Sequence, residues 1–290
     1  MKIVFIQTCD VQRYMRMQEI TRKTIASYCE RNNFMYHSVL GLIRGGQPWH
    51  AALNRIPIIS GYINDKYDGW IVYLDADAYI ADMSFDLESY LSDKSDYALI
   101  GAPSGAQPPR WWDINNGVFA LNARHPVAIE MVYRWREKLD VVPDSILRSE
   151  DCWGAVIDDQ AIMHEAIQET LGAEQSLLHD SDTFNWNANF IRQVIRANSD
   201  FESRIKILAD AVDNVLQNNN NPNNKDNIRT TNHEIITAFY RVLLGREPDD
   251  HGLQNAIAKL DSGTSFEDEL RACVTSDECR QALPRLWRSR

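Results

Sequence analysis

The sequence predicts an α/β domain on a mostly parallel sheet flanked by helices, followed by a small all-α domain. Three observations carry this. Short apolar runs alternate with stretches of helical periodicity over residues 2–171, as in consecutive strand–helix units. An asparagine-rich run, Asn218-Asn219-Asn220-Asn221-Pro222-Asn223-Asn224, interrupts the alternation. After it only helical stripes recur.

Residues 2–7 read as a first buried strand. Tyr14, Met17, Thr21, Ile25 and Tyr28 recur at helical spacing over 14–31, and Phe34 to Leu40 reads as a second strand. Trp49, Ala52, Leu53, Ile56, Ile59 and Ile63 share one face of a helix over 48–64. Trp70-Ile71-Val72-Tyr73-Leu74 forms a third strand, with further strands at 97–100 and 117–121. Pro126 opens a helix to about Lys138, because proline suits a first helical turn. A last helix over 159–171 is expected to end at Gly172.

The stretch from Gln217 to Asn232 has little to bury and favours turns over helix. It sets the expected boundaries: an α/β domain over 1–215, a linker over 216–231 and a helical domain over 232–290. Thr231 and Glu234 match a capping box. Ile235, Ile236, Phe239, Tyr240, Leu243 and Leu244 form one apolar stripe before Gly245. Leu253, Ala256, Ile257 and Leu260 form a second before Gly263, and Ser265 and Asp268 cap a third helix with Phe266, Leu270, Cys273 and Val274.

With 30 basic and 41 acidic side chains the formal charge is −11, which disfavours nucleic acid as a partner. No apolar run is long enough for a membrane span, which leaves room only for peripheral association. The N-terminal run Met1 to Ile6 has no small-residue cleavage site after it and reads as a strand, not a leader. Five widely spaced cysteines without a CxxC suit reduced thiols, so a cytoplasmic protein is expected.

Chemistry concentrates in Tyr73-Leu74-Asp75-Ala76-Asp77-Ala78-Tyr79-Ile80. Ligands of open α/β sheets bind beyond the carboxyl ends of strands. Two carboxylates there repel one another and suit Mg²⁺ or Mn²⁺, ions that complete their shells with substrate phosphates. A nucleotide-sugar needs such an ion on its leaving diphosphate. Aspartyl phosphatases also place D-x-D after a strand, but on the first strand and followed by Thr or Val. Here the third strand carries it, and Ala78-Tyr79 follow.

WIVYLDADAYI, INNGVFALNA at 114–123 and DDQAIMHEA at 158–166 together resemble GT-A-fold glycosyltransferases. The likeness is to the galactosyl/xylosyl/mannosyltransferase family and covers roughly residues 1–200. It implies a Rossmann-like GT-A domain, a nucleotide-sugar donor, and a saccharide or glycan acceptor. It implies an Mn²⁺ or Mg²⁺ cofactor and transfer of a hexose or pentose, leaning to retention at the anomeric carbon. Residue by residue, Asp75 and Asp77 match the metal and diphosphate motif. Asn115, Asn116 and Gly117 match the lining of the donor-sugar pocket. Asp159 and Gln160 match the catalytic acid–glutamine pair, and Arg55 matches a basic residue that braces the motif or the nucleotide. Thr8, after the first strand, joins the donor-binding candidates. His179 is the candidate for the family's late third metal ligand, although its surroundings depart from the family's pattern.

Blander readings stand beside these. Asn115-Asn116-Gly117 also fits a turn before a strand, and Asp158-Asp159 a pair at a helix N-cap. Arg55 also fits an exposed helix position, and His179 a surface loop. Trp111-Trp112 reads as a sugar-stacking lip or a core plug, with the loop position favouring the lip. His164 reads as a bystander. FYRVLLGREPDDHGL at 239–253 and SFEDELRACVTSDE at 265–278 resemble a bacterial domain of unknown function related to phycobilisome linker domains. Arg246 and Asp249 there brace a turn. A second hypothesis is a catalytically inactive carbohydrate- or nucleotide-binding protein that acts through this helical module.

Overall fold

The computed structural model describes residues 1–108, 110–195, 200–220, 236–237, 240 and 248–261. The chain divides into two compact units, Met1–Gln217 and Asn218–Arg290. The first unit begins β1 (Ile3–Cys9), α1 (Met15–Asn32), β2 (Met35–Leu40), a 3₁₀ helix (Pro48–Asn54), α2 (Arg55–Asn64), β3 (Trp70–Asp75), β4 (Ala78–Ile80) and α3 (Leu87–Ser92). It continues β5 (Leu99–Gly101), β6 (Val118–Asn122), α4 (Pro126–Asp140), α5 (Asp144–Ser149), α6 (Asp159–Glu169), β7 (Leu177–His179), β8 (Phe184–Asn185), β9 (Ile191–Gln193) and α7 (Phe201–Asn220), whose last three residues lie past Gln217.

The main sheet has six strands in the order β2-β1-β3-β6-β5-β7. β6 runs antiparallel to both neighbours, and the other five strands share one direction. A second sheet, β4-β9-β8, follows the end of β3. β1 and β6 are buried along their whole length, so they read as continuous apolar runs and not as alternating ones. The pleat still sorts their side chains. Val4, Ile6, Ile71, Tyr73, Phe119 and Leu121 pack with Ile56, Ile59 and Ile63 of α2 and with α4 and α6 on one face. Phe5, Val72, Leu74, Val118 and Ala120 pack with Ile25 and Tyr28 of α1, Leu87 and Leu91 of α3, and the second sheet on the other.

Two departures from the expected elements bear on the site. The helix expected over 48–64 is a 3₁₀ segment to Asn54 followed by α2. Pro57 has no N–H to give the Leu53 carbonyl, so an unbroken α-helix would lack that bond. Buried Asn54 instead uses its side chain to hold the 41–43 loop, donating to Gly41 O at 2.7 Å and accepting from Ile43 N at 2.9 Å. The second difference is α7, which occupies a stretch with no expected helix and continues to Asn220, past the expected start of the linker at 216. Leu208 and Val212 are buried on it, with Phe201, Ile205, Val215 and Leu216 packed around them. This apolar face outweighs the weak helix propensity of the terminal asparagines.

Residues 221–231 of the expected linker lie outside the described residues, as do the Thr231/Glu234 capping box, most of the first C-terminal stripe, and the third helix. The second stripe falls on α8 (Asp250–Asp261), where Ala256 is buried. Among the described residues no helix is long and apolar enough to cross a membrane.

Candidate functional site

β1 and β3 are parallel and end together, with Thr8 opposite Asp75. β6 begins where β3 stops, and Asp75 N donates to Gly117 O at 2.7 Å. The antiparallel strand therefore carries Asn116-Gly117 to the first carboxylate of the D-x-D. A cleft with ≈ 570 Å³ of empty space, part of it open to solvent, lies beyond these strand ends. Thr8, Arg55, Asp75, Asp77, Asn116 and Asp159 all line it, together with Trp49, Trp153 and Arg204.

Arg55 is the hub. It opens α2 with its side chain 2% exposed and donates to Ala52 O at 2.8 Å, Asp75 Oδ1 at 2.8 Å and Asn116 O. Its Nε lies 3.4 Å from Asp159 Oδ2, and its guanidinium stacks 4.5 Å over the Tyr73 ring. Burial alone would lower the Arg55 pKa, but Asp75, then Tyr73, Asp159 and Asp77, outweigh it and raise the pKa. The exposed-helix reading of Arg55 thus fails: the side chain is buried and bonded to the first carboxylate of the D-x-D. Burial raises the Asp75 pKa to about 7 against the lowering pull of Arg55, with Asp77 and Asp159 adding to the rise. That carboxyl also accepts from Tyr73 Oη at 3.2 Å.

The second carboxylate is held by two residues absent from the sequence-based site. Arg204, on α7, is 4% exposed in its side chain, pairs with Asp77, and donates to Val194 O at 2.9 Å. Gln193, at the end of β9, donates from Nε2 to Asp77 Oδ1 at 2.9 Å and to Asp75 Oδ2 at 3.3 Å. Gly117 makes room for it. A Cβ there would stand 2.5 and 2.6 Å from the two amide atoms of Gln193 and 2.9 Å from Asp75 Oδ2, so only glycine allows this approach.

Asn115 serves the turn, accepting from Gly117 N at 2.9 Å. Asn116 reaches the opposite wall, donating from Nδ2 to Asp159 Oδ2 at 2.6 Å and from its backbone N to Gln160 Oε1 at 3.2 Å. Asp158 is the N-cap of α6, accepting from Gln160 N at 2.9 Å and Ala161 N at 3.1 Å. Asp159 is free of that duty and faces the cleft, 4% exposed. Thr8 is buried, donates to Ala51 O at 3.3 Å and shares a 3.0 Å hydrogen bond with Tyr73 Oη.

Other expected residues are not brought here. His179 ends β7, the sheet edge, three strands from β3. At about 4.8 Å per strand that is about 14 Å across the sheet, so the ligand set Asp75, Asp77 and His179 is not assembled. Among the described residues no group of three or more His, Cys, Asp or Glu is placed to hold a metal. Trp112 packs on the core with its ring 4.9 Å from His164, while Trp111 is partly exposed. Neither lines the cleft; Trp49 and Trp153 do. His164 bonds the Ile114 carbonyl at 2.8 Å, a structural contact. Behind the cleft His50 accepts from Gly46 N and Gln47 N at Nδ1, which leaves Nε2 to donate to buried Glu150 at 2.6 Å.

No family model matches the chain, and no curated protein matches it. Among solved structures it is similar to a glycosyltransferase involved in the glycosylation of the major capsid of PBCV-1. That match has 16% identity and a TM-score of 0.51, covering 72% of this chain and 98% of the other. It is also similar to the apo-form glycosyltransferase GlyE of Streptococcus pneumoniae TIGR4, at 14% identity and a TM-score of 0.43, covering 74% of this chain and 63% of the other. The first likeness shows a shared mixed α/β fold; the second is too loose to carry an argument. None of these comparisons supports the phycobilisome-linker likeness of 239–278, most of which lies outside the described residues.

Proposed function

We propose that the chain is a GT-A-type glycosyltransferase that moves a sugar from a nucleotide-sugar to a saccharide or glycan hydroxyl with the help of Mn²⁺ or Mg²⁺. The observation that carries it is the convergence of Asp75, Asp77, Asn116 and Asp159 on one cleft at the carboxyl end of β3. The fold shared with a solved glycosyltransferase supports the reaction class. The donor set fits a divalent ion: one amide nitrogen, Gln193 Nε2, lies within 2.9 and 3.3 Å of oxygens from both carboxylates. The positive end of the amide thus occupies a point that both acids face. Asp75 and Asp77 would hold the ion, which when bound neutralises charge on the leaving diphosphate.

The chain's own residues do the rest. Arg55 keeps Asp75, Asn116 and Asp159 in fixed relation, so the metal motif and the far wall of the cleft cannot drift apart. Asn116 and Gly117 bound the donor-sugar side, and Thr8 sets the floor through Tyr73. Arg204 secures Asp77 and, through it, the second arm of the metal motif. Asp159, gripped by Arg55 and Asn116, suits a fixed negative charge beside the reacting sugar carbon, with Gln160 behind it holding Asn116. Trp49 and Trp153 offer apolar ring faces to a saccharide. A panel of nucleotide-sugars, assayed for donor hydrolysis with and without Mn²⁺, tests the reading. Turnover of one donor that requires Mn²⁺ and is lost in Asp77→Asn is expected; no turnover of any donor rejects it.

A further inference from the structure

The D-x-D motif supplies two carboxylates, and the histidine expected as a third ligand sits on the far edge of the sheet. A different residue fills the space between the acids. β4 pairs antiparallel with β9 so that Ala78 lies opposite Gln193, and Val194 N donates to Asp77 O at 3.0 Å. This pairing fixes the Gln193 backbone beside the motif. Its side chain, 9% exposed, turns inward and places Nε2 between Asp75 and Asp77.

The amide's other atom sharpens the point. Gln193 Oε1 is buried with no hydrogen-bond partner. Burying an acceptor unpaired is costly, and native structures seldom tolerate it without a reason. Arg55 and Arg204 take the outer oxygens of the two carboxylates, and the inner pair, with no metal ion between them, selects the NH₂ end of an amide. A hard divalent ion at the same point repels that end and selects the carbonyl, a common ligand of such ions. Turning the terminal amide exchanges the two. The slot that Gly117 leaves open touches both amide atoms equally closely, so the turn needs no room that is not already there.

We infer that Gln193 is the third protein ligand of the ion held by Asp75 and Asp77, with its NH₂ inward in the metal-free protein and its Oε1 inward once the ion binds. This rests on the metal-dependent reading above.

Mn²⁺ binding to the full chain, followed by the loss of the free-ion electron paramagnetic resonance signal, tests it with and without uridine diphosphate. Gln193→Met keeps the length and removes the oxygen. Outer-sphere partners of metal ligands are worth about 10–100-fold in affinity, so losing an inner-sphere oxygen should weaken binding by at least about tenfold. Gln193→Glu supplies a charged oxygen and should match or exceed the wild type, with a larger Mn²⁺-induced rise in melting temperature. Were Gln193 only a cross-link, its removal would take the amide away from both carboxylates while each kept its arginine, and Gln193→Met would bind Mn²⁺ as well as the wild type or better. That outcome overturns the assignment, and so does weaker binding by Gln193→Glu if Gln193→Met fails to fold. Wild-type protein that binds no Mn²⁺ under either condition overturns the metal reading itself and this inference with it.

Discussion

Arg55→Met removes the guanidinium while keeping most of the buried stem. The wild-type side chain is 2% exposed and serves Ala52 O, Asn116 O, Asp75 and Asp159 at once. Its loss leaves Asp159, itself 4% exposed, without its cationic partner. Removing one member of a buried ion pair costs about 3–5 kcal/mol. For a unit of this size each kcal/mol moves the melting temperature by about 2–4 °C, so a fall of roughly 6–20 °C is expected. Arg55→Lys keeps the charge but cannot span the same acceptors, and should lose about 1.5–3 kcal/mol, the worth of one hydrogen bond to a charged group. The loss also depends on pH. Burial raises the Asp75 pKa to about 7 in the folded metal-free protein, and Arg55 is the main group pulling it down. A raised folded pKa means that the stability contribution is full below the unfolded pKa of about 3.9 and is lost as pH rises towards the folded value. In the wild type this loss levels off above about pH 7. In Arg55→Met the Asp75 pKa moves higher and the loss continues, so the gap between the two proteins widens above neutrality. Calorimetry with chelator at pH 6 and pH 8 measures both effects. A deficit under about 1 kcal/mol at pH 8, against the cost of an orphaned buried charge, or a deficit that shrinks with rising pH, refutes the reasoning. Asp159→Asn added to Arg55→Met should cost less than the sum of the two changes.

Three further outcomes are expected. Gly117→Ala drives a methyl group into the Gln193 amide and the Asp75 carboxylate, side-chain ends that must swing away from their shared point, so the Mn²⁺-induced rise in melting temperature should shrink; an unchanged rise would contradict the close approach. Asp159→Asn should cut donor turnover by roughly a hundredfold or more, the scale of losing one preorganised electrostatic partner, while the calorimetric donor affinity stays near wild type. A parallel fall in affinity would instead make Asp159 a brace for Asn116 and Arg55. A fragment ending at Asn220 keeps all of α7 and should melt cooperatively with the Mn²⁺ response of the full chain; aggregation of that fragment would argue against the division into two units.

Legibility in the sequence followed how local each signal is. β1, α1, β2, β3, β6 and α4 were readable because each carries its own apolar run or stripe, and Asp75 and Asp77 because they follow such a run directly. Short β7, β8 and β9 were not, since two- or three-residue strands have no periodicity and exist only through their partners. Gln193 was invisible for that reason: its place beside Asp77 comes from β4–β9 pairing across more than a hundred residues of chain. Arg204 does carry a local signal. It lies four and eight residues before Leu208 and Val212, both buried on α7, so it interrupts an apolar stripe. Arg55 likewise sits four residues before buried Ile59. A lone arginine on a buried helical stripe must have a partner, and in both cases the partner is an acid of the motif. His179 misled because the order of residues along the chain says nothing of sheet order, and β7 adds at the edge next to β5.

The two arginines also bear on the order of events in the cleft. Asp75, Asp77 and Asp159 face Arg55 and Arg204, three carboxylates against two guanidinium groups, which leaves one negative charge when all are ionised. The arginines therefore suffice to hold the acids in place with no ion present. They do not suffice to welcome a nucleoside diphosphate, which would meet a net negative wall at short range. Adding one divalent ion to the proposed position changes the balance from one negative to one positive charge. On the proposed function, donor binding should therefore follow or accompany ion binding, never precede it. The same balance explains why Arg204 does not replace the ion: its charge is already committed to Asp77, and attracting the donor requires charge beyond what the fold needs for itself.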